Sequence, residues 1–181
     1  MSLVGPLRRT DQALYRLVHG RLRARQIDPI MVAATDIGTK SAAWLTVAAT
    51  LAVFGDTKAR RTAWMTIAAT LTAQGVVNIL LKPAFRRKRP FARRGLRSRL
   101  LIKPPREHSW PSGHSASSAA AFTTLAAAYP DRAVPLLVLA AAISYSRVYV
   151  GVHYPFDVAA GTAVGTVVGA AYVGLNRARE E

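Results

Sequence analysis

The 181-residue chain contains no cysteine, which excludes a disulfide framework and any thiolate metal site and leaves the redox compartment unmarked. Acidic residues are scarce: nine Asp and Glu stand against 25 Lys and Arg, for a formal net charge of +16. With so few carboxylates, and neither a His-x-His nor an HExxH pattern, no metal centre and no cofactor are expected. No alternation of apolar and polar residues persists, so strands are not expected either. Residues 1–28 hold six arginines and no long apolar run, which argues against a secretory signal.

What the chain has in quantity is apolar sequence, 51% hydrophobic residues gathered in blocks between short basic stretches. A helix that crosses a bilayer needs about 20 residues. Residues 62–81 carry no charge, 133–150 only Arg147 near the end, and 155–175 only Asp157 near the start. Residues 115–129 form a shorter, Ala-rich block closed by Pro130. A fifth block, 41–54, reaches back to Pro29 only by admitting Asp36 and Lys40, four apart. Those two read as a buried structural pair on one helix face, or else the chain before Lys40 is a separate interfacial helix. The expected fold is all-α: a polytopic transmembrane helical bundle of about five transmembrane helices, because helices satisfy their own backbone groups in lipid.

In the last block Gly161, Gly165 and Gly169 recur every four residues. Such a stripe admits another helix at close range, from the same chain or across a homodimer. Near the N-terminus Leu14, Leu17, Val18 and Leu22 share one helical face. Residues 1–28 therefore read as a basic amphipathic N-terminal segment on a membrane surface, or as a solvated basic tail. Residues 29–176 form the membrane-embedded domain and 177–181 a short polar tail.

The stretch 82–108 holds eleven basic residues and one acid, Glu107. Such charge attracts phosphates. Few aromatics accompany it and no recognition fold surrounds it, so no nucleic-acid partner is expected. The plain alternative is a solvated, positive-inside loop. Three clusters favour something sharper: "KPAFRRKRP" from Lys82 to Pro90, "PSGH" from Pro111 to His114, and "SRVYVGVHYPFD" from Ser146 to Asp157. Counting crossings, the second helix ends, the third begins and the fourth returns on one membrane face, so all three clusters share it.

Lys82, Arg89 and Arg147 would concentrate positive charge there, and arginine's planar fork suits phosphate oxygens. "PSGH" opens a helix, whose free N–H groups favour an anion; Gly113 allows close approach and the Ser112 hydroxyl can donate. His153 and Asp157 are four apart, with Pro155 suited to a first helical turn, so the carboxylate can orient the imidazole and leave its other nitrogen free to attack. His114 could protonate a leaving alkoxide. Taken singly, each cluster has a structural reading: a core histidine, a surface His–Asp pair, or an arginine reaching for headgroups. Gln74, Asn78 and Lys82 continue as a polar stripe at helical spacing, a packing seam or part of a substrate groove. Trp110 reads as an interfacial anchor or a liner of the lipid entrance.

Lys82-x6-Arg89-Pro90, Pro111-Ser112-Gly113-His114 and Ser146-Arg147-x5-His153-x3-Asp157 together resemble the three-part signature of the type-2 phosphatidic acid phosphatase family. These membrane lipid phosphatases share their site with vanadium haloperoxidases and glucose-6-phosphatase. All eleven fixed positions match in order. The resemblance implies that Lys82, Arg89, Arg147, Ser112 and the Gly113 amide bind phosphate. It implies that His114 is the general acid, that His153 forms a phosphohistidine, and that Asp157 holds His153, with no metal required. Many relatives have six transmembrane helices, one more than is found here.

The expected function is hydrolysis of a terminal phosphate from a lipid phosphate or diphosphate: polyprenyl diphosphate, phosphatidate, phosphatidylglycerophosphate or a polyprenyl-phosphosugar phosphate. The alternatives are a non-catalytic basic membrane protein that binds anionic headgroups and, further off, a vanadate-dependent peroxidase. Partners are the lipid substrate and membrane lipids. Twenty arginines against five lysines suggest a GC-rich bacterial genome, hence an integral protein of a bacterial plasma membrane. The positive-inside rule puts the site on the cytoplasmic face, many bacterial relatives put it outside, and the two remain open.

Overall fold

The computed structural model describes residues 4–92 and 100–178. Residues 93–99 of the basic stretch and 179–181 of the expected polar tail lie outside the described residues, as do 1–3. Among the described residues there is no strand. Helix α1 (Val4–Tyr15) continues through a π-helical turn to Arg21 and is followed by α2 (Asp28–Ile37), α3 (Ala42–Phe54) and α4 (Thr57–Gly75). A second π-helical turn, Val76–Leu81, joins α4 to the short α5 (Lys82–Phe85). Then come α6 (Gly113–Ala128), α7 (Ala133–Tyr149) and α8 (Pro155–Arg177).

The caps follow from the sequence. Asp56 accepts from Ala59 N (2.8 Å) to start α4, and Ser112 accepts from Ser115 N to start α6. Pro155 opens α8, where the Asp157 carboxylate accepts the Tyr154 N–H at 2.9 Å. The widened turn before Lys82 precedes Pro83, which has no N–H to return to the chain one turn back.

Among the described residues two runs are long and apolar enough to cross a membrane, Thr57–Ala92 and Pro155–Arg177; α2 and α3 qualify only together, bent by 56°. The blocks that became α6 and α7 have 16 and 17 residues. Helix α6 packs against α4, α7 and α8 and buries a face of Ala, Ser and Gly. A helix wrapped by protein needs small side chains more than greasy ones, so hydropathy understates it. Trp44 donates to Ser118 Oγ at 2.9 Å, and Thr66 and Thr124 hydrogen-bond at 2.9 Å between α4 and α6. Each such interhelical bond contributes on the order of 0.6 kcal/mol in lipid.

The glycine stripe of α8 is spent inside the chain. A Cβ on Gly161 would lie 2.3 Å from the Ser112 carbonyl oxygen, and one on Gly165 2.0 Å from that of Ala116. Glycine alone lets the two backbones touch.

Asp36 and Lys40 do not form the buried pair: both are exposed, and the helix breaks between them. Lys40 (φ 52) and Ser41 (φ 62) are left-handed, at roughly 1–2 kcal/mol each. The buried Ser41 hydroxyl accepts from Gln74 Nε2, which helps to hold the break. The chain before Lys40 forms its own helix, α2, ending at Ile37.

The N-terminal helix turns its leucines outward, with Leu14, Leu17 and Leu22 exposed. It buries Asp11, Tyr15 and His19, a stripe at spacing four, against the chain between α7 and α8. The Tyr15 hydroxyl donates to Gly151 O (3.4 Å) and His19 Nδ1 lies 2.6 Å from Tyr149 O. Gly151 has φ 90, a conformation that favours glycine, and a Cβ there would press on the His19 ring at 2.8 Å. The leucines thus lie on the exposed face, and the opposite face is bound to the bundle rather than solvated.

Candidate active site

Lys82 ends the α4 run, Arg89 follows α5, Gly113 and His114 open α6, Arg147 lies in the last turn of α7, and His153 stands on the connection to α8. All six line one cavity of about 680 Å3. The convergence expected from helix count is therefore present. Lys82, Arg89, Arg147 and His153 are each buried to more than nine-tenths. Buried cations require anions. Arg147 Nε and His114 Nε2 are buried with no hydrogen-bond partner, which leaves them available to a ligand.

His153 places Nε2 on the cavity side, 3.1 Å from Arg89 Nη1. Its Nδ1 faces Asp157 Oδ2 at 3.5 Å. If Arg89 donates, Nε2 is the unprotonated acceptor and Nδ1 carries the proton toward Asp157. Burial above all, reinforced by Arg89 and Arg147 and opposed by Asp157, pushes the His153 imidazole down to about 3. The ring is therefore neutral at ordinary pH, as a nucleophile must be.

Asp157 is fully buried behind His153. It accepts from Arg87 Nη1 (2.6 Å), Tyr154 N (2.9 Å) and the Ser109 hydroxyl. Its own carbonyl accepts from Ser112 N at 2.9 Å, tying the start of α6 to the start of α8. Ser112 is buried and its hydroxyl caps α6, accepting also from Ser115 Oγ at 3.0 Å, so it supports the helix end rather than lining the cavity. Arg89 donates Nε to Glu107 O (2.7 Å) and Nη1 to Val152 O (2.9 Å), clamping two loops together. Glu107 reaches Lys82 Nζ at 2.5 Å, and this hydrogen bond holds its carboxyl below the usual range.

Arg87, Ser109, Asp11 and Glu107 were not singled out from the sequence. Arg87 was visible only as one of four adjacent basic residues, and Ser109 and Asp11 carry no pattern of their own. Gln74 and Asn78 line the cavity with Lys82, so the polar stripe belongs to the groove, while Gln74 also holds Ser41. Trp110 packs on Phe85 with ring centroids 4.1 Å apart.

The chain is 28% identical to undecaprenyl-diphosphatase BcrC of Bacillus subtilis over 159 residues, covering 86% of this chain and 79% of that one. It spans about half the length of other curated relatives that it matches. Among solved structures, LpxE of Aquifex aeolicus aligns with a TM-score of 0.74 at 25% identity, over 90% of this chain and 94% of that one. A transmembrane PAP2 type phosphatidylglycerolphosphate phosphatase from Bacillus subtilis aligns at 0.75 and 21% identity, over 95% and 87%, which speaks for the fold alone. Residues 63–181, which carry all three clusters, match the family model described as PAP2 superfamily, and the chain belongs to that superfamily.

Proposed function

We propose that this membrane lipid phosphatase removes the terminal phosphate of a lipid phosphate or diphosphate through a phosphohistidine on His153. The supporting observation is that unpartnered Arg147 Nε and His114 Nε2 meet Lys82, Arg89 and His153 Nε2 around one cavity. The lone pair of His153 Nε2 attacks phosphorus, forming a P–N bond as the P–O bond to the leaving group breaks. His114, protonated once the anionic phosphate lies beside it, gives that proton to the departing oxygen. Water then attacks phosphorus, His114 takes a proton from it, and the P–N bond breaks to release inorganic phosphate. Lys82, Arg89, Arg147 and the Gly113 amide neutralise the phosphoryl oxygens throughout, the task that magnesium performs in many phosphoryl-transfer sites. Asp157 holds the imidazole, and Ser112 sets the helix end that presents Gly113.

We place residues 29–176 in the membrane as about five crossings, with 1–28 as a basic segment against their surface. The short α6 crosses in the middle of the bundle, where neighbours cover it. Bacterial plasma membrane is the proposed location. A polyprenyl diphosphate is the preferred substrate, in line with the name of the BcrC relative.

Phosphate release from a panel of lipid phosphates in detergent, with chelator present, is the direct test. Turnover of at least one lipid phosphate, lost in His153→Ala, is the expected result. A protein that only bound headgroups would need the cations but not a neutral imidazole backed by a buried carboxylate, and would release no phosphate.

A further inference from the structure

Arg87 is held between two buried carboxylates. Nη1 donates to Asp157 Oδ1 at 2.6 Å, and Nη2 donates to Asp11 Oδ2. The guanidinium carbon lies 4.2 Å from the centre of the Tyr154 ring, which fixes its plane. The other oxygen of Asp11 accepts the Phe156 N–H at 2.9 Å, one residue before Asp157. Asp11 is 1% exposed, and the chain has only nine acidic residues in all.

The charges explain why an acid is buried there. Arg87 alone against Asp157 would neutralise the carboxylate that His153 needs. Asp11 takes up the opposite side of the guanidinium, so the trio Asp11–Arg87–Asp157 carries one net negative charge. That charge lies beside the imidazole, which becomes cationic when Nε2 bonds to phosphorus. The Phe156 hydrogen bond sets the position of the same turn. Both effects reach His153 from α1, an element outside the three clusters.

We infer that Asp11 is a positioning residue for the phosphoryl-transfer reaction, holding Arg87 and the α8 entry so that Asp157 stays available to His153. This rests on the phosphohistidine reading above. Lys82, Arg89 and Arg147 are untouched by it, so phosphate binding is separable from turnover.

The test compares Asp11→Asn, Asp11→Glu and Asp11→Gln with wild type and with Tyr15→Phe in detergent. The last loosens the same helix without changing charge. Asn can still accept the Phe156 N–H while losing the charge toward Arg87. The expected result is a roughly tenfold fall in kcat for Asp11→Asn, with KM and the inhibition constant of inorganic phosphate within about twofold. Asp11→Glu should retain more kcat than Asp11→Gln, and Tyr15→Phe should keep kcat within about twofold. If Asp11→Asn does not fold, the Glu and Gln pair makes the same comparison at equal length. Wild-type kcat in Asp11→Asn or equal kcat in the Glu and Gln variants, with His153→Ala inactive, overturns the role of Asp11 alone. Activity surviving in His153→Ala overturns the nucleophile assignment and this inference with it.

Discussion

His153 Nε2 and Arg89 Nη1 stand 3.1 Å apart, within hydrogen-bond distance, and both residues line one cavity. With Arg89 as donor, this contact selects the tautomer whose Nε2 is unprotonated, the one the proposed function requires for attack on phosphorus. Replacing His153 by Ala should lower phosphate release by about 10^3-fold or more, the scale of losing a nucleophile. Association with vesicles containing anionic lipid should persist, which a flotation assay would read.

His114 is assigned to the leaving group, so its effect should depend on that group. His114→Gln should slow hydrolysis of a lipid phosphate by about 10^2 to 10^4-fold. A nitrophenyl phosphate, whose leaving group needs no proton, should suffer far less. Equal losses on both substrates would remove His114 from the acid role.

The neutral state of His153 gives a stability signature. Its pKa is about 3 in the folded protein, below the ordinary value of 6.5 that it regains on unfolding. Between these two pH values the unfolded chain binds a proton that the folded chain does not, so stability falls as pH drops from 6.5 toward 3. His153→Gln should flatten this part of the Tm-against-pH curve relative to wild type. Identical slopes would mean that the imidazole is not held neutral.

Glu107 pairs with Lys82 Nζ at 2.5 Å. Its side chain is 65% exposed, so the pair adds little to stability. Its effect should fall on ligand binding: Glu107→Gln should tighten inhibition by inorganic phosphate by about two- to tenfold, because it removes a competing anion. Weaker inhibition would show that Glu107 assists the site instead.

At the α6–α8 contact, Gly165→Ala places a methyl group 2.0 Å from the Ala116 carbonyl oxygen. Overpacking of this kind costs about 1–3 kcal/mol or more. A lower Tm should come with reduced turnover, since the same helix pair carries His114 and Asp157. Gly174, with nothing within 4 Å of its Cβ position, should accept Ala without loss.

How much of this was legible beforehand follows from what a sequence encodes locally. The imidazoles of His114 and His153 and the cations Lys82, Arg89 and Arg147 sit in short clusters near helix ends, and these residues line one cavity. The glycine stripe was legible because helix contact needs a repeat at spacing four. Spans are less legible from hydropathy, because a helix such as α6 takes its surroundings from other helices and is too short to stand out as one. Asp11 and Ser109 were invisible for a different reason. Asp11 meets Arg87 and Phe156, and Ser109 meets Asp157, only at long range, and a single polar residue in a basic or loop-like stretch leaves no periodic trace. The leucines near the N-terminus drew attention to the outward face of α1, while its functional contacts lie on the other.

Backbone contact between α6 and α8 leaves no slack behind the start of α6, whose Gly113 and His114 line the cavity. Attempts to retune which headgroup is accepted should therefore leave that helix contact alone and work on other lining residues. Val32 and Thr39 line the same cavity, and their size can be changed without forcing two main chains apart.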